Sequence, residues 1–567
     1  MNQDGQPILL GGYAAKQCPV RTQNDFAPLV PRPQWEWPAE VLADLEAGQR
    51  FEAEVFAELL SIHSGSAVAV DAELRKAEAI EATSAAMQSG AMLILGGWLP
   101  DDEDGGRTGK PDVLVKVDGG YLPADVKHHK TLEAAKKTSK VVSSFAHPGT
   151  WRDEAGLTAS THHFEDSLQL AHYTRMLQAC GLHPGERRMY GAIIGTSLLA
   201  VGDSDPELVF VWHDLTRPTR PTFSRSRGRV LRSVLERYDH EHAFRVKVAA
   251  TARGITGSGQ DPEPLVVPIG QKECALCPYG SWCAEQLGPD DASGVITRDR
   301  LDTREWQTLR RMGFTTTGAL ANLDVDDPAF FEEYYPEVTH RSRTQAAKRL
   351  AAAVRQARMI TEGVDFQPIP GTVVEVPSAD IEIDFDIEWD TAGRIYQWGL
   401  RVRDGYEDAT ARYEPVVSFE PLDEAGELEL ATRFAARIQQ LRAEAERCGR
   451  TIAVYHWHHV EVSMTRKFDC VAAALDGLSI DLHTWFTSTF HVRGEASIKA
   501  VAQFFGFTWQ VDDPGGRLSQ EKIEIARGGG PEAADARQWC LSYNGSDVAA
   551  QAAIRDGVRV MFVGTSD

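Results

Sequence analysis

The stretch Gly109–Lys127, GKPDVLVKVDGGYLPADVK, decides the fold of the first half of this chain. A Pro-Asp pair opens it, and the apolar run Val113, Leu114, Val115 and Val117 follows. Asp118-Gly119-Gly120 makes a tight turn, and a second apolar run leads into Asp125-Val126-Lys127. Two short strands around a glycine-rich turn predict a β-hairpin. Side chains two apart on a strand share a face, so Asp125 and Lys127 stand side by side, facing Asp112 from the first strand. Such a set can hold a divalent cation on oxygen ligands while the lysine meets developing phosphate charge. The competing reading is a solvated ion pair on a hairpin, so the rest of the chain must decide.

At 567 residues the chain is too long for one core and predicts two to four domains. Its 43% hydrophobic and 25% charged residues are those of an ordinary globular protein. No apolar run approaches the ~20 residues of a membrane span, and the N-terminus lacks a basic-then-apolar signal pattern, so a cytoplasmic protein with no membrane partner is expected. A net charge of −23, from 59 basic and 82 acidic residues, argues against a polycation that coats nucleic acid. It leaves room for an enzyme with metal-binding carboxylates and a local basic groove. Eight cysteines are few for this length, and clustered ones in a cytosolic chain suggest metal rather than disulfides.

Residues 1–35 read as irregular. From Pro38 to Leu60 the pattern turns helical, with Leu42, Leu45, Phe51, Val55 and Leu59 near one stripe. Gly48-x-x-x-Glu52 lies within it, and Glu54 is a second acid nearby. Residues 66–100 read as helix then strand. After Lys127 come His128, His129, Lys130, Lys136, Lys137 and Lys140, either a phosphate-contacting cluster or a solvated loop. A helix follows, FEDSLQLAHYTRMLQACG, in which Gln169 and Tyr173 are four apart and so stack on one face. Apolar strands at 189–195 and 207–213 then complete a mixed sheet.

At 274–283 the chain reads Cys-Ala-Leu-Cys-Pro-Tyr-Gly-Ser-Trp-Cys. Cys-x2-Cys-x5-Cys in a Pro/Gly loop is a strong metal signature that needs a fourth ligand. Cys18, likewise followed by proline, is the natural completion. Cys180, Cys448, Cys470 and Cys540 are scattered and expected to pack as ordinary side chains.

Together these motifs resemble the RecB-like PD-(D/E)XK nucleases. The resemblance implies a restriction-endonuclease-like core over 1–295, with Asp112 and Asp125, helped by Glu52, holding Mg²⁺ or Mn²⁺. Many relatives carry histidine where Glu52 stands, and others a glutamate. Lys127 would stabilise phosphorane-like charge or orient water, and Gln169 and Tyr173 would position substrate or lysine. Cys18, Cys274, Cys277 and Cys283 resemble the four cysteines that staple the ends of iron–sulfur members around a [4Fe–4S] cluster. Zinc on four thiolates is the alternative.

Residues 296–370 read as a helical linker. TREWQTLRRMGFTTTGALANL loosely resembles a helix–hairpin–helix DNA-backbone clamp, with a single glycine, Gly313, at its turn. Residues 340–358 form the most basic helix.

The third region, 371–567, starts with a meander, ADIEIDFDIEWD, RIYQWGLRVRDG and YEPVVSFEPL. Asp386 and Glu388 share a face of its first strand, and carboxylates on a buried-type strand are costly unless they bind something. Then come a long helix, the strand TIAVYHW, the run His456 to Glu461, Asp481, a helix SIKAVAQFFGFTW, and Tyr543-x-x-x-Asp547 opening a last helix. This order resembles the RNase H-like 3′–5′ exonucleases of the DEDD type, whose mixed sheet is flanked by helices. The resemblance assigns Asp386, Glu388, Glu461 and Asp547 to two metals, with Tyr543 positioning water. Val460 and Glu461 depart from the family's aromatic-Asp pair, and Asp481 is a structural or substitute acid.

Over nearly its whole length the chain thus resembles iron–sulfur RecB-like nucleases fused to an RNase H-like exonuclease domain. The resemblance implies a metal-dependent nuclease acting on DNA, single-stranded or with free ends, in repair, processing or defence, with a helicase or similar partner. The alternatives are an RNA-processing nuclease using mainly the C-terminal site, and a nucleic-acid-binding scaffold with one inert site.

Overall fold

The computed structural model describes residues 7–160, 162–200, 205–224, 228–296, 301–512 and 516–563. The chain is a mixed α/β protein that divides into two compact units. The first comprises Met1–Thr315 and Asp324–Leu350, the second Thr316–Leu323 and Ala351–Asp567. Residues 296–370 are therefore apportioned between them, and the division falls inside the helix Arg343–Glu362.

The first unit is built on eight strands: β1 (Ala67–Ala69), β2 (Leu93–Leu95), β3 (Val113–Val117), β4 (Gly120–Val126), β5 (Leu132–Ser144), β6 (Arg152–Ala159), β7 (Tyr190–Ala200) and β8 (Pro206–Asp214). They form one mixed sheet in the order β1-β2-β3-β4-β7-β8-β5-β6. The expected hairpin is β3–β4, antiparallel with Val113 opposite Ala124 and Val117 opposite Gly120. Gly119 takes φ 91°, which the two-residue Asp-Gly loop requires. A Cβ at Gly120 would stand 2.3 Å from the Leu182 carbonyl oxygen, so both glycines of the turn are needed.

Alternation along β3 and β4 sorts their side chains between two cores. Val113, Val115, Leu122 and Ala124 pack with Val55 and Leu59 of the helix Ala39–Ile62. Leu114 and Tyr121 pack with Tyr173, Met176 and Leu177 of the helix His163–Ala179. The second helix is buried on most of its surface, which brings Gln169 and Tyr173 inside the unit. Parallel pairing of Asp125 with Ile193 sets β4 at the centre of the sheet.

Three expectations change here. Leu42 and Leu45 are 44% and 46% exposed, so the apolar stripe of the first long helix reaches the core only from Phe51 onward. Residues 1–35 contain a helix, Pro19–Phe26, started by the proline after Cys18. Lys136, Lys137 and Lys140 lie on β5, a thirteen-residue strand rather than a loop, because pairing with β6 on either side of an irregularity at Ala134–Ser139 overrides their polarity.

β9 (Arg220–Ser224) and β10 (Gly228–Arg232) form a separate hairpin. Helix Thr303–Arg311 and helix Thr317–Ala321 flank Gly313, whose φ is 91°.

In the second unit β11 (Phe366–Pro368) pairs with β17 (Phe490–Val492). The main sheet contains β12 (Ile381–Trp389), β13 (Ile395–Asp404), β14 (Arg412–Val417), β15 (Ile452–His456) and β16 (Ser479–Asp481), in the order β14-β13-β12-β15-β16. β12, β13 and β14 are the expected antiparallel meander, while β15 and β16 continue the sheet in parallel. Ile383, Phe385 and Ile387 face a core shared with Leu430, Phe434 and Ile438 of the helix Glu424–Cys448. The even-numbered residues of β12 face the helix Pro531–Val558. Tyr543 and Asp547 lie in the middle of that 28-residue helix and do not open a new one, since Asn-Gly-Ser is carried through by packing on the sheet. No described helix is long and apolar enough to cross a membrane.

Candidate active sites

Each unit gathers carboxylates at one end of its sheet. In the first, Asp112 immediately precedes β3, and its Oδ2 accepts the Val126 amide at 2.7 Å. That bond spans the hairpin and holds the carboxylate over the end of β4. Asp125 is wholly buried and ion-paired with the Lys127 ammonium. Its Oδ1 has no hydrogen-bond partner among the described residues. Burial, then the charge of Asp125, pushes the Asp112 carboxyl well above its ordinary range. Burial alone would lower the Lys127 pKa, but Asp125, Tyr13 and Asp112 outweigh it and hold the ammonium charged.

Glu52 feels Lys110, Asp125 and Lys127, and burial followed by Asp125 raises its pKa. Glu54 is exposed. The carboxylates of Glu52, Asp112 and Asp125 do not form a set of oxygens all within 4.8 Å of one another. Gln169 Nε2 donates to Tyr173 Oη at 3.0 Å, and Gln169 Oε1 is buried without a partner among the described residues. Burial, then Asp125, raises the Tyr173 pKa, so the phenol stays protonated beside the carboxylates. Sequence reasoning missed Tyr13, Lys16 and the His129–Asp166 pair, whose ring nitrogen and carboxylate lie 3.1 Å apart. Tyr13, Lys16 and Asp166 are far from the hairpin in sequence, and His129, though named with the basic cluster, has its partner 37 residues on, so no local pattern pairs them.

In the second unit Asp386, Glu388 and Asp547 each place an oxygen within 4.8 Å of the others. Asn544 Nδ2 donates to Asp386 Oδ2 at 2.8 Å, Ser519 Oγ to Glu388 Oε2 at 2.7 Å, and Trp509 Nε1 to Asp547 Oδ1 at 2.7 Å. These three hydrogen-bond donors are neutral, and the charge that offsets the acids comes from the Lys499 ammonium, which acts on Glu388 and Asp547. Glu461 lines the same cavity of about 550 Å³, and its Oε2 has no hydrogen-bond partner among the described residues. Burial comes first among the causes that push Glu388 up to about 8, Glu461 to about 7 and Asp547 to about 6, and it raises Asp386 well above its ordinary range. Tyr543 lines this cavity too, and its Oη lies 3.2 Å from the Lys499 ammonium. Asp481 caps the helix Leu482–Thr489 through the Thr484 amide at 2.9 Å, which makes it a structural acid.

The same strand supplies its own control. Glu382, Asp384, Asp386 and Glu388 alternate along one face of β12. Glu382 is paired with Arg403, Arg555 and Arg559, and Asp384 with Arg555. Asp386 and Glu388 form no ion pair among the described residues. A third acidic group, Asp302, Glu305 and His340, is closed by Arg341 on Asp302 at 3.1 Å and Arg349 on Glu305 at 2.7 Å.

No family model, curated protein or solved structure matches this chain.

The four cysteines singled out in the sequence, Cys18, Cys274, Cys277 and Cys283, all line one cavity of about 750 Å³, and none is in a disulfide. No three of their sulfurs lie within 4.8 Å of one another. Burial pushes the Cys18 and Cys283 thiols up to about 11 and raises Cys277. Cys18 sits at the start of its helix, and its amide donates to Glu273 at 3.3 Å, next to Cys274.

Proposed function

We propose that this chain is a metal-dependent nuclease that hydrolyses DNA phosphodiester bonds, with a PD-(D/E)XK-type site in the first unit and a DEDD-type site on an RNase H-like sheet in the second. The observation that carries this reading is the contrast along β12. Two of its four acids are ion-paired with arginines, while Asp386 and Glu388 converge with Asp547, hydrogen-bonded by neutral donors and facing one cation, Lys499, for three carboxylates. Uncompensated buried carboxylates are costly, and a divalent cation removes that cost.

The donor set is all oxygen, which fits Mg²⁺ or Mn²⁺. Asp386, Glu388, Asp547 and Glu461 would hold the ions in the second unit; Asp112, Asp125 and Glu52 in the first. When bound, such ions activate water and brace the leaving oxygen of an in-line displacement. Around them the chain's own residues orient the reactants. Tyr543, set by Lys499 at 3.2 Å, directs a water or phosphate oxygen in the second site. In the first, Lys127 presents a fixed positive charge to the phosphate, and Tyr173, held by Gln169, limits the space around it.

For the four cysteines the proposal is a [4Fe–4S] cluster, supported by four thiols lining one cavity, with zinc as the alternative. A cluster there would tie Cys18 to the 274–283 loop. A cytoplasmic setting, a helicase-like partner and a role in repair or defence belong to the same proposal.

The test is degradation of 5′- and 3′-labelled single- and double-stranded DNA, with RNA as comparison, in Mg²⁺ or Mn²⁺. Two-site activity requires that Lys127→Ala and Asp386→Asn each remove part of the cutting and that the double variant remove all of it. Unchanged degradation by the double variant overturns the reading. Binding without any cutting would leave a scaffold, and cutting of RNA alone an RNA-processing enzyme.

A further inference from the structure

The geometry points to a nucleotide-binding platform formed by Tyr13 and Lys16 beside Lys127, which takes the base and phosphate of a single DNA strand next to the scissile bond. It rests on the nuclease reading of the first site and adds residues that this reading does not use.

The turn that carries both residues is fixed from beneath. Ala14 N donates to Gly11 O at 3.1 Å, and Lys16 N and Gln17 N donate to Tyr13 O at 3.1 and 3.2 Å. Ala15 is buried in a core with Leu168 and Ala171, on the helix that carries Gln169 and Tyr173. Gly12 lies against that helix, where a Cβ would meet Gln169 Cγ at 3.1 Å and Tyr173 Oη at 3.5 Å. Tyr13 and Lys16 are thus held rigidly over the site.

Tyr13 is 47% exposed although two ammonium groups stand near its ring, Lys16 at 4.2 Å and Lys127 at 6.0 Å from its centroid. Lys16 makes no ion pair or hydrogen bond through its ammonium among the described residues, and it faces Lys127, Asp166, Asp125 and Glu165. Burial and the Lys127 charge disfavour the Lys16 ammonium while Asp166, Asp125 and Glu165 favour it, and a phosphate beside the ring would add to that stabilisation. An exposed aromatic face next to a cation that tracks the backbone is how single strands are bound without sequence preference.

The test uses the full-length chain carrying Asp386→Asn, so that cleavage reports on the Lys127 site. KM and kcat are measured on a short single-stranded oligodeoxynucleotide in Mn²⁺ over a range of salt. Tyr13→Ala is expected to raise KM about tenfold with kcat within about twofold, and Tyr13→Trp to restore it. Lys16→Ala is expected to raise KM and lower the slope of log KM against log salt by about 0.7, with Lys16→Arg keeping both. Thermal melts of each variant separate lost binding from lost folding. The same variants are titrated with labelled oligonucleotide by anisotropy in Ca²⁺. Unchanged KM, Kd and salt slope in Tyr13→Ala and Lys16→Ala overturn the platform while leaving the nuclease reading intact. A parent that neither cuts nor binds overturns both.

Discussion

Arg555 Nη2 donates to Glu382 Oε2 at 2.8 Å, and both side chains are fully buried. Arg555 also pairs with Asp384, so one arginine from the last long helix bridges two acids of β12. Replacing it with alanine leaves buried charge uncompensated and is expected to destabilise the chain by about 3–5 kcal/mol in urea unfolding. A loss below about 1 kcal/mol would mean that Arg403 and Arg559 suffice.

Asp386 is expected to respond in the opposite sense. Asp386→Asn keeps the shape and removes an uncompensated charge, so the metal-free protein should melt at a higher temperature while the second site loses its cutting. A melting temperature that falls in the metal-free variant would show the charge to be satisfied already.

The acids of the second site also set a pH dependence. Their folded-state pKa values, about 8 for Glu388 and about 6 for Asp547, lie above those of an unfolded chain. The folded state therefore binds more protons, and their contribution is full below the unfolded pKa and lost as pH rises through the folded one. Without divalent metal, the melting temperature should fall relative to Glu388→Gln between about pH 5 and 8.5. Added Mn²⁺ should raise it most at the alkaline end, where metal no longer competes with protons. Identical pH profiles for wild type and Glu388→Gln would remove this account.

Lys127 supplies charge where the scissile phosphate would lie. Lys127→Ala is expected to cut the rate at the first site by about 10²–10³-fold, measured in the Asp386→Asn background, with less effect on binding. An unchanged rate would make the Asp125–Lys127 pair structural.

Iron content reads the cysteine cavity. Protein purified without oxygen should be brown and carry about four irons, and Cys274→Ser or Cys18→Ser should lose colour and iron together. Stoichiometric zinc in place of iron would assign the cavity to a single ion.

Much of this was legible locally. Period-two alternation around Asp118-Gly119 marked the β3–β4 hairpin, and alternation in Ile381–Trp389 marked a strand with acids on one face. Gln169 and Tyr173, one helical turn apart, do meet. The strand carrying Lys136 and Lys137 was not legible, because its polar half is held by pairing with β6 on either side of an irregularity between Ala134 and Ser139. Nor was the continuous helix through Tyr543-Asn544-Gly545, where Asn544 bonds to Asp386 from a position of poor helix propensity.

By itself the sequence determined the mixed α/β composition, the hairpin with Asp112, Asp125 and Lys127, and the residue types able to bind metal, because each depends on neighbours a few positions apart. Only the tertiary structure decided which acids stay without an arginine ion pair. Glu382 and Asp386 look alike along β12, and what separates them is Arg555, 173 residues away from Glu382. It likewise set Tyr13 and Lys16 over Lys127 and brought Cys18 to the cavity of the late cysteines. Whether a buried charge is neutralised depends on a partner within a few ångströms, and no local periodicity records where such a partner comes from.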